Sequence, residues 1–301
     1  MKRVLKVLGL IVGVLAALVL ILGVVVYVST QRRINKTYAI DVPSLTIPTD
    51  AASIEEGHRL TVIRGCIDCH GEDYGGGMFL DAPMVATIYA ANLTTGEGSA
   101  TRDFTTKDWV RAIRHGVGAN GKPLFVMPSN EYAGLSDADV ARIIAYLRSA
   151  PPVDRKNPAP TVGLLGRALV ATNQLPAFPA EVIDHTAAAP HDVAPEASAA
   201  YGAYLITSCT GCHGPGLAGQ AIPGMPADYP HSANLTSSGE LGQWTFADFA
   251  TTLRTGRTPA NKILDPDVMP WPIATRMTDV ELEALWLYLQ SLPPAAIAAQ
   301  P

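Results

Sequence analysis

The sequence predicts an all-α protein: an N-terminal transmembrane helix followed by two small helical units. Three observations carry this. A 22-residue stretch from Val7 to Val28 has no charge. The rest of the chain repeats itself with a period of about 142 residues. The recognisable helices show one-sided apolar spacing, and no segment shows a convincing two-residue alternation.

The apolar stretch comes first. As a helix it spans about 33 Å, enough for a hydrocarbon core of about 30 Å. A cleaved leader has a shorter apolar region followed by small residues in an A-x-A-like pattern. Here Val24-Val25-Val26-Tyr27-Val28 runs directly into Ser29-Thr30-Gln31-Arg32-Arg33. An uncleaved anchor over residues 1–36 is therefore expected, with the span at about 7–28 and Tyr27 at the interface. Lys2, Arg3 and Lys6 before the span nearly balance Arg32, Arg33 and Lys36 after it, so flanking charge does not orient it.

The repeat defines one unit over 37–150 and a second over 196–301. Gly57 to Cys66 answers Gly202 to Cys209, and Ala91-Asn92-Leu93-Thr94 answers Ala233-Asn234-Leu235-Thr236. Asp108 to Gly116 answers Asp248 to Gly256, and Met127-Pro128 answers Met269-Pro270. Ser136 to Leu147 answers Thr278 to Leu289. In the closing helix of the second unit Leu282, Leu285, Trp286 and Leu289 form one stripe behind a Thr278/Glu281 capping box. Val140, Ile143, Ile144 and Leu147 hold the same register in the first, and Pro151-Pro152 and Pro293-Pro294 stop the two helices. Each unit opens with a helix, the first with a Ser53/Glu56 capping box, and has a middle helix near 105–115 or 245–255. Between the units, residues 151–195 are rich in proline, from Pro151 to Pro190 and Pro195, and read as extended linker. Within it Gly163 to Thr172 is expected to form a short apolar helix between the units.

All four cysteines lie in two pentapeptides, Cys66-Ile67-Asp68-Cys69-His70 and Cys209-Thr210-Gly211-Cys212-His213. Both read C-x-x-C-H, the haem-attachment pattern. Thiols three residues apart reach the two vinyl groups on one porphyrin edge and form thioethers. The following His then offers an imidazole nitrogen to the iron. Zinc sites use C-x-x-C pairs that sit closer in sequence. A thioredoxin-like pair needs a βαβ context, and structural disulfides have no need of a His after each pair.

In their order of elements both units resemble class I cytochrome c domains: a Gly-x-x-Leu helix, C-x-x-C-H, a Met-Pro loop and a closing helix with an aromatic. The whole chain resembles membrane-anchored diheme cytochromes c, and is similar to the cytochrome c subunits of periplasmic dehydrogenases. The resemblance covers about 50–150 and 196–295. It implies two covalently bound haem c groups. It also implies close helix crossings at Gly57 with Tyr146, and at Gly202 with Tyr288 or Trp286. Because haem is attached outside the cytoplasm in that family, the anchor is expected in the cytoplasmic membrane with both units in the periplasm.

Met127 lies 57 residues after His70 and Met269 lies 56 after His213, both before a proline. His70 and Met127, and His213 and Met269, are thus the expected iron ligands, alongside thioethers at Cys66, Cys69, Cys209 and Cys212. Met84 and Met225 share no register and read as packing. The unmatched His58, His115, His185, His191 and His231 read as surface or core residues. Asn92, Asn234, Arg114 and Arg254 are matched polar positions that hold either the Met loop, a propionate, or only turns and a solvated helix face.

The chain's net charge is −5, and with the anchor's six cations removed the remainder carries −11. That argues against nucleic acid and anionic lipid surfaces as partners, and it suits either a basic docking patch or solubility alone. The expected function is a single-electron relay, not an enzyme. It runs between a membrane donor complex or dehydrogenase and an acceptor such as an oxidase or reaction centre. The alternative is a dedicated subunit of a periplasmic alcohol or sugar dehydrogenase. A diheme peroxidase needs an open iron, which a Met candidate in both units opposes.

Overall fold

A computed structural model of the chain describes residues 2–188, 192–222, 225 and 228–296. His191 and Pro190 lie outside them. Helix α1 (Lys2–Ile34) is apolar on every side and extends beyond the expected span at both ends. Its one buried residue is Thr30. Residues 35–50 then run without regular structure, and Val42 enters the first core with Ile40, Leu45 and Ile47 beside it.

The first unit is built from α2 (Ala51–Ile63), α3 (Cys66–His70), α4 (Thr106–His115), α5 (Ser129–Tyr132) and α6 (Asp137–Ser149). The second follows the same plan with α8 (Ala199–Leu205), α9 (Thr210–His213), α10 (Phe246–Thr255) and α11 (Asp279–Ser291). Between them lies α7 (Leu164–Ala171). The middle helices carry full capping boxes, Thr105 with Asp108 and Thr245 with Asp248. Thr278 and Glu281 cap α11 as expected. The cap of α2 differs: Asp50 accepts from the Ser53 N–H at 2.9 Å, while Glu56 turns to Arg59 at 2.7 Å. An acceptor one residue upstream of the apolar stretch outcompetes Ser53 because its carboxylate is charged.

In each unit the opening helix crosses the closing one where a glycine removes the side chain. A Cβ on Gly57 would lie 2.0 Å from the Arg142 carbonyl oxygen and 3.0 Å from the Tyr146 Cβ. A Cβ on Gly202 would lie 2.0 Å from the Ala284 carbonyl oxygen and 2.6 Å from the Tyr288 Cβ. The aromatic partner in the second unit is therefore Tyr288, and the Trp286 ring instead packs at a tilt against Phe249.

A small antiparallel sheet appears that the sequence does not advertise. Strands β1 (Gly77–Ala82), β2 (Ala86–Ala90) and β3 (Thr161–Val162) pair in that order. A bulge between Met78 and Leu80 destroys the alternation of β1, and β3 is a two-residue contribution from the linker. Helix content nevertheless dominates both units, so the chain is mainly helical with little sheet.

The linker helix α7 does not pack between the units. It runs beside the last turns of α1: the Thr30 hydroxyl donates to the Arg167 carbonyl at 3.1 Å, and Arg33 donates to the Val170 carbonyl. Arg33 also pairs with Glu181, and the Arg167 guanidinium sits 4.4 Å over the Tyr27 ring. The apolar helix itself is legible in the sequence, but α1 outlasts its apolar span and offers it a surface that no local pattern shows.

The two units meet through equivalent surfaces. Arg59 on α2 donates to Glu281 at the start of α11, at 2.7 and 2.8 Å. In return Tyr204 on α8 donates to Asp139 at the start of α6, at 2.6 Å. Arg64, two residues before Cys66, reaches the Thr207 hydroxyl at 3.4 Å, and Thr207 stands two residues before Cys209. Contacts that answer each other in this way define an approximate twofold axis within one chain. Tyr204 and Met277 pack against both cores.

Candidate functional site

Each C-x-x-C-H motif forms a short helical turn at the end of the unit's opening helix. The His70 ring Nδ1 lies 2.8 Å from the Ala91 carbonyl oxygen, and the His213 Nδ1 lies 2.8 Å from that of Ala233. A carbonyl only accepts, so Nδ1 carries the proton and Nε2 is left with its lone pair. That fixes both the tautomer and the ring plane, as ligand imidazoles require. Burial lowers the pKa of each ring and keeps it neutral.

The accepting carbonyls are held by the matched asparagines. Asn92 Oδ1 accepts from the Thr94 N–H at 2.9 Å and its amide donates to the Val153 carbonyl at 2.6 Å. Asn234 Oδ1 accepts from the Thr236 N–H at 2.8 Å and its amide donates to the Ala295 carbonyl at 2.6 Å. The asparagines therefore build turns and clamp them to the chain beyond the closing helix. The arginines do something else. Arg114 donates to the Leu135 carbonyl and to Asp137, each at 2.6 Å. Arg254 donates to the carbonyls of Ala274 and Thr275 at 3.0 and 2.9 Å, and to Asp279 at 3.0 Å. Each ties the segment after the Met-Pro pair to the start of the closing helix, so neither is a merely solvated face.

Cys66, Cys69, His70 and Met127 line one apolar cavity with Phe104, Trp109, Ile113 and Ile143. In the second unit the Met269 loop repeats the backbone contacts of the Met127 loop. The Leu124 N–H donates to Gly116 O and the Leu264 N–H to Gly256 O, both at 2.7 Å. The Ser129 N–H donates to Met127 O at 2.8 Å and the Trp271 N–H to Met269 O at 2.6 Å. Met84 and Met225 are 64% and 42% exposed, so they are surface residues and not the packing expected of them. His58 stacks on Tyr146, His115 meets His185, and His231 is exposed.

No disulfide joins the four cysteines. Burial pushes the Cys66 and Cys209 thiols up to about 12 and the Cys69 thiol up to about 11, so none of the three is a thiolate near neutral pH. Among the described residues, no three His, Cys, Asp or Glu side chains gather as a metal cluster. Neither the redox-pair nor the zinc reading gains support.

Two residues not among the expected site residues lie between the motifs. Arg64 is 3% exposed and lines the cavity. One of its nitrogens donates to the Leu205 carbonyl at 3.1 Å, while Nε and Nη2 are buried with no partner among the described residues. Glu131 on α5 reaches across to the second motif: a Cβ on Gly211 would lie 2.2 Å from its Oε1. Burial raises its pKa to about 7. A cation two residues before C-x-x-C-H was the only available signal for Arg64; burial is a tertiary property and left no other.

A family model described as cytochrome c matches residues 54–151 and 199–293, which include both motifs and both Met-Pro pairs. The chain belongs to the cytochrome c family. The cofactor of cytochrome c domains is covalently bound haem c, and the residues present fit it. The cavity is apolar, His70 offers a free Nε2, Met127 lies on the same cavity, and Arg64 brings unpartnered donors suited to a propionate. The chain is 27% identical over 279 residues to the cytochrome c subunit of alcohol dehydrogenase (quinone) from Gluconobacter oxydans, covering 81% of this chain and 55% of that protein. It is 28% identical over 288 residues to the fructose dehydrogenase cytochrome subunit of Gluconobacter japonicus, covering 85% and 56%. The gluconate 2-dehydrogenase cytochrome c subunit of Pantoea cypripedii is 33% identical over 112 residues, 35% of this chain and 25% of that protein. The chain thus spans little more than half the length of the first two relatives.

Proposed function

We propose that this cytochrome c is the electron-accepting subunit of a membrane dehydrogenase, with one haem c in each unit. The observation that carries this is the match over four-fifths of the chain to cytochrome subunits of alcohol and fructose dehydrogenases. It favours the dedicated subunit over the free relay to an oxidase or reaction centre that the sequence alone put first. In this reading Cys66 and Cys69, and Cys209 and Cys212, form the thioethers. His70 and His213 would hold the iron through Nε2, and Met127 and Met269 would supply its thioether ligands. Haem c held in this way supplies a one-electron iron couple, and a Met thioether favours its reduced form. The chain's own residues then exclude water, fix the ligand orientation, and hold the two motifs on either side of one interface. The anchor lies in the cytoplasmic membrane with both units in the periplasm. Oxidation of the alcohol or sugar belongs to the partner.

The test is extraction of native membranes in a gentle detergent and purification through this chain. A dehydrogenase subunit should co-purify, and its substrate should reduce the haem spectrum of the preparation. A chain that purifies alone and takes electrons only from a quinol-oxidising complex overturns the subunit reading and restores the relay.

A further inference from the structure

Six large apolar side chains are exposed on the β1–β2 hairpin and the adjoining start of α7. They are Met78, Phe79 and Leu80 on β1, Met84 in the β1–β2 turn, and Leu164 and Leu165 at the start of α7. Leu164 is 78% exposed and Met84 64%. The turn and α7 adjoin: the Leu165 and Gly166 N–H groups donate to the Met84 carbonyl at 2.9 and 3.2 Å, the Gly163 N–H donates to Val85 O at 2.9 Å, and Met78, Phe79 and Leu80 lie on the strand that leads into that turn. Asp81 is the only charged residue of the hairpin from Gly77 to Ala90.

The height of this surface along α1 can be read from contacts. Thr30 meets Arg167, and three residues on Arg33 meets Val170, three residues on in α7. The two helices therefore run parallel and in step. Three residues back from that pairing, Leu164 stands level with Tyr27, at the end of the apolar stretch. The Arg167 guanidinium over the Tyr27 ring is the arrangement of a cation and an aromatic at a headgroup layer.

We propose that the β1–β2 turn and the N-terminus of α7 dip into the lipid interface, giving the first unit a second membrane contact beside its anchor. The patch is continuous with the lipid-facing surface of α1, so the bilayer is its occupant. Loops that bury apolar side chains at the headgroup boundary gain affinity in proportion to area. Docking also fixes orientation. Phe79 belongs both to the patch and to the wall of the Cys66–Met127 cavity, so the first haem site is held at the lipid surface. This rests on the reading of α1 as a membrane anchor.

The test uses the haem-loaded full chain, one copy per lipid nanodisc, exposed to a pulse of hydroxyl radicals. Methionine oxidation is read by mass spectrometry. Met78 and Met84 are at least as exposed as Met225 in the second unit, which serves as the internal standard. The proposal predicts oxidation of Met78 and Met84 roughly five-fold slower than Met225, because lipid covers them. Leu164→Asp with Leu165→Asp, at two exposed positions, should bring Met84 up to the Met225 rate. Equal rates in the unmodified chain overturn the proposal. Protection that appears only in native membranes with a partner subunit also overturns it, and assigns the patch to protein. Failure of the chain to enter nanodiscs at all is a separate result: it removes the anchor, and the lipid contact with it.

Discussion

Met127 and Glu131 stand four residues apart and answer different questions. Met127 lies on the cavity with His70, so Met127→Ala should lower the first haem's potential. The expected drop is on the order of 0.1 V, within the roughly 0.8 V that axial ligands span. The variant should also gain carbon monoxide binding, which redox titration and difference spectra read directly; Met269→Ala should do the same in the second unit. Unchanged spectra in either variant would remove that Met from the ligand set. Glu131 is buried against the second motif, and its pKa rises from an ordinary 4.5 to about 7. A carboxyl whose folded pKa is raised adds stability that is complete below 4.5 and is lost as pH climbs through about 7. Glu131→Gln should therefore flatten the decline in melting temperature between pH 5 and pH 8, whereas parallel curves would show that the group titrates normally. The candidate cysteines, histidines and methionines could be singled out from the sequence because C-x-x-C-H and Met-Pro recur at matched spacing. Glu131 and Arg64 could not, since each draws its character from a neighbour about 80 or 140 residues away.

Helices were legible where local signals agreed. The capping box at Thr278, the matched apolar stripes and the terminal prolines placed the closing helices nearly to the residue, and the middle helices lie where the repeat put them. The strands were not, because β1 is bulged and β3 has two residues, so neither shows a period. The helix crossings place a tight demand on their elements. Gly57→Ala or Gly202→Ala places a methyl 2.0 Å from a backbone carbonyl oxygen that has no rotamer to escape through. Each should cost about 1–3 kcal/mol or more in denaturant unfolding of the haem-loaded protein. Gly211→Ala meets only the mobile end of Glu131 and should cost less. Equal losses at all three positions would contradict the close-crossing account.

The whole molecule is two copies of one unit joined about an approximate twofold axis, and the contacts there are not surface decoration. Glu281 is 2% exposed. Burial opposes its ionisation, yet two bonds from Arg59 and one from the Thr278 N–H hold its carboxyl below the ordinary value. Arg59→Leu leaves that carboxylate buried without its cation and should destabilise the paired units by about 3 kcal/mol. If the loss is nearer zero, as for an exposed ion pair, the interface is looser than described. The repeat announced two units; the paired contacts of Arg59 and Tyr204 reveal that like surfaces meet, and the Arg64–Thr207 contact brings both C-x-x-C-H turns to one junction. The central claim is that each turn carries a covalent haem. Intact mass of the full chain, made in a haem-attaching host and measured under denaturing conditions, tests it most directly. The account predicts the chain plus two haems, falling to one when Cys66 and Cys69 are both replaced by Ala; a chain of unmodified mass, or one haem in the unaltered protein, would contradict it.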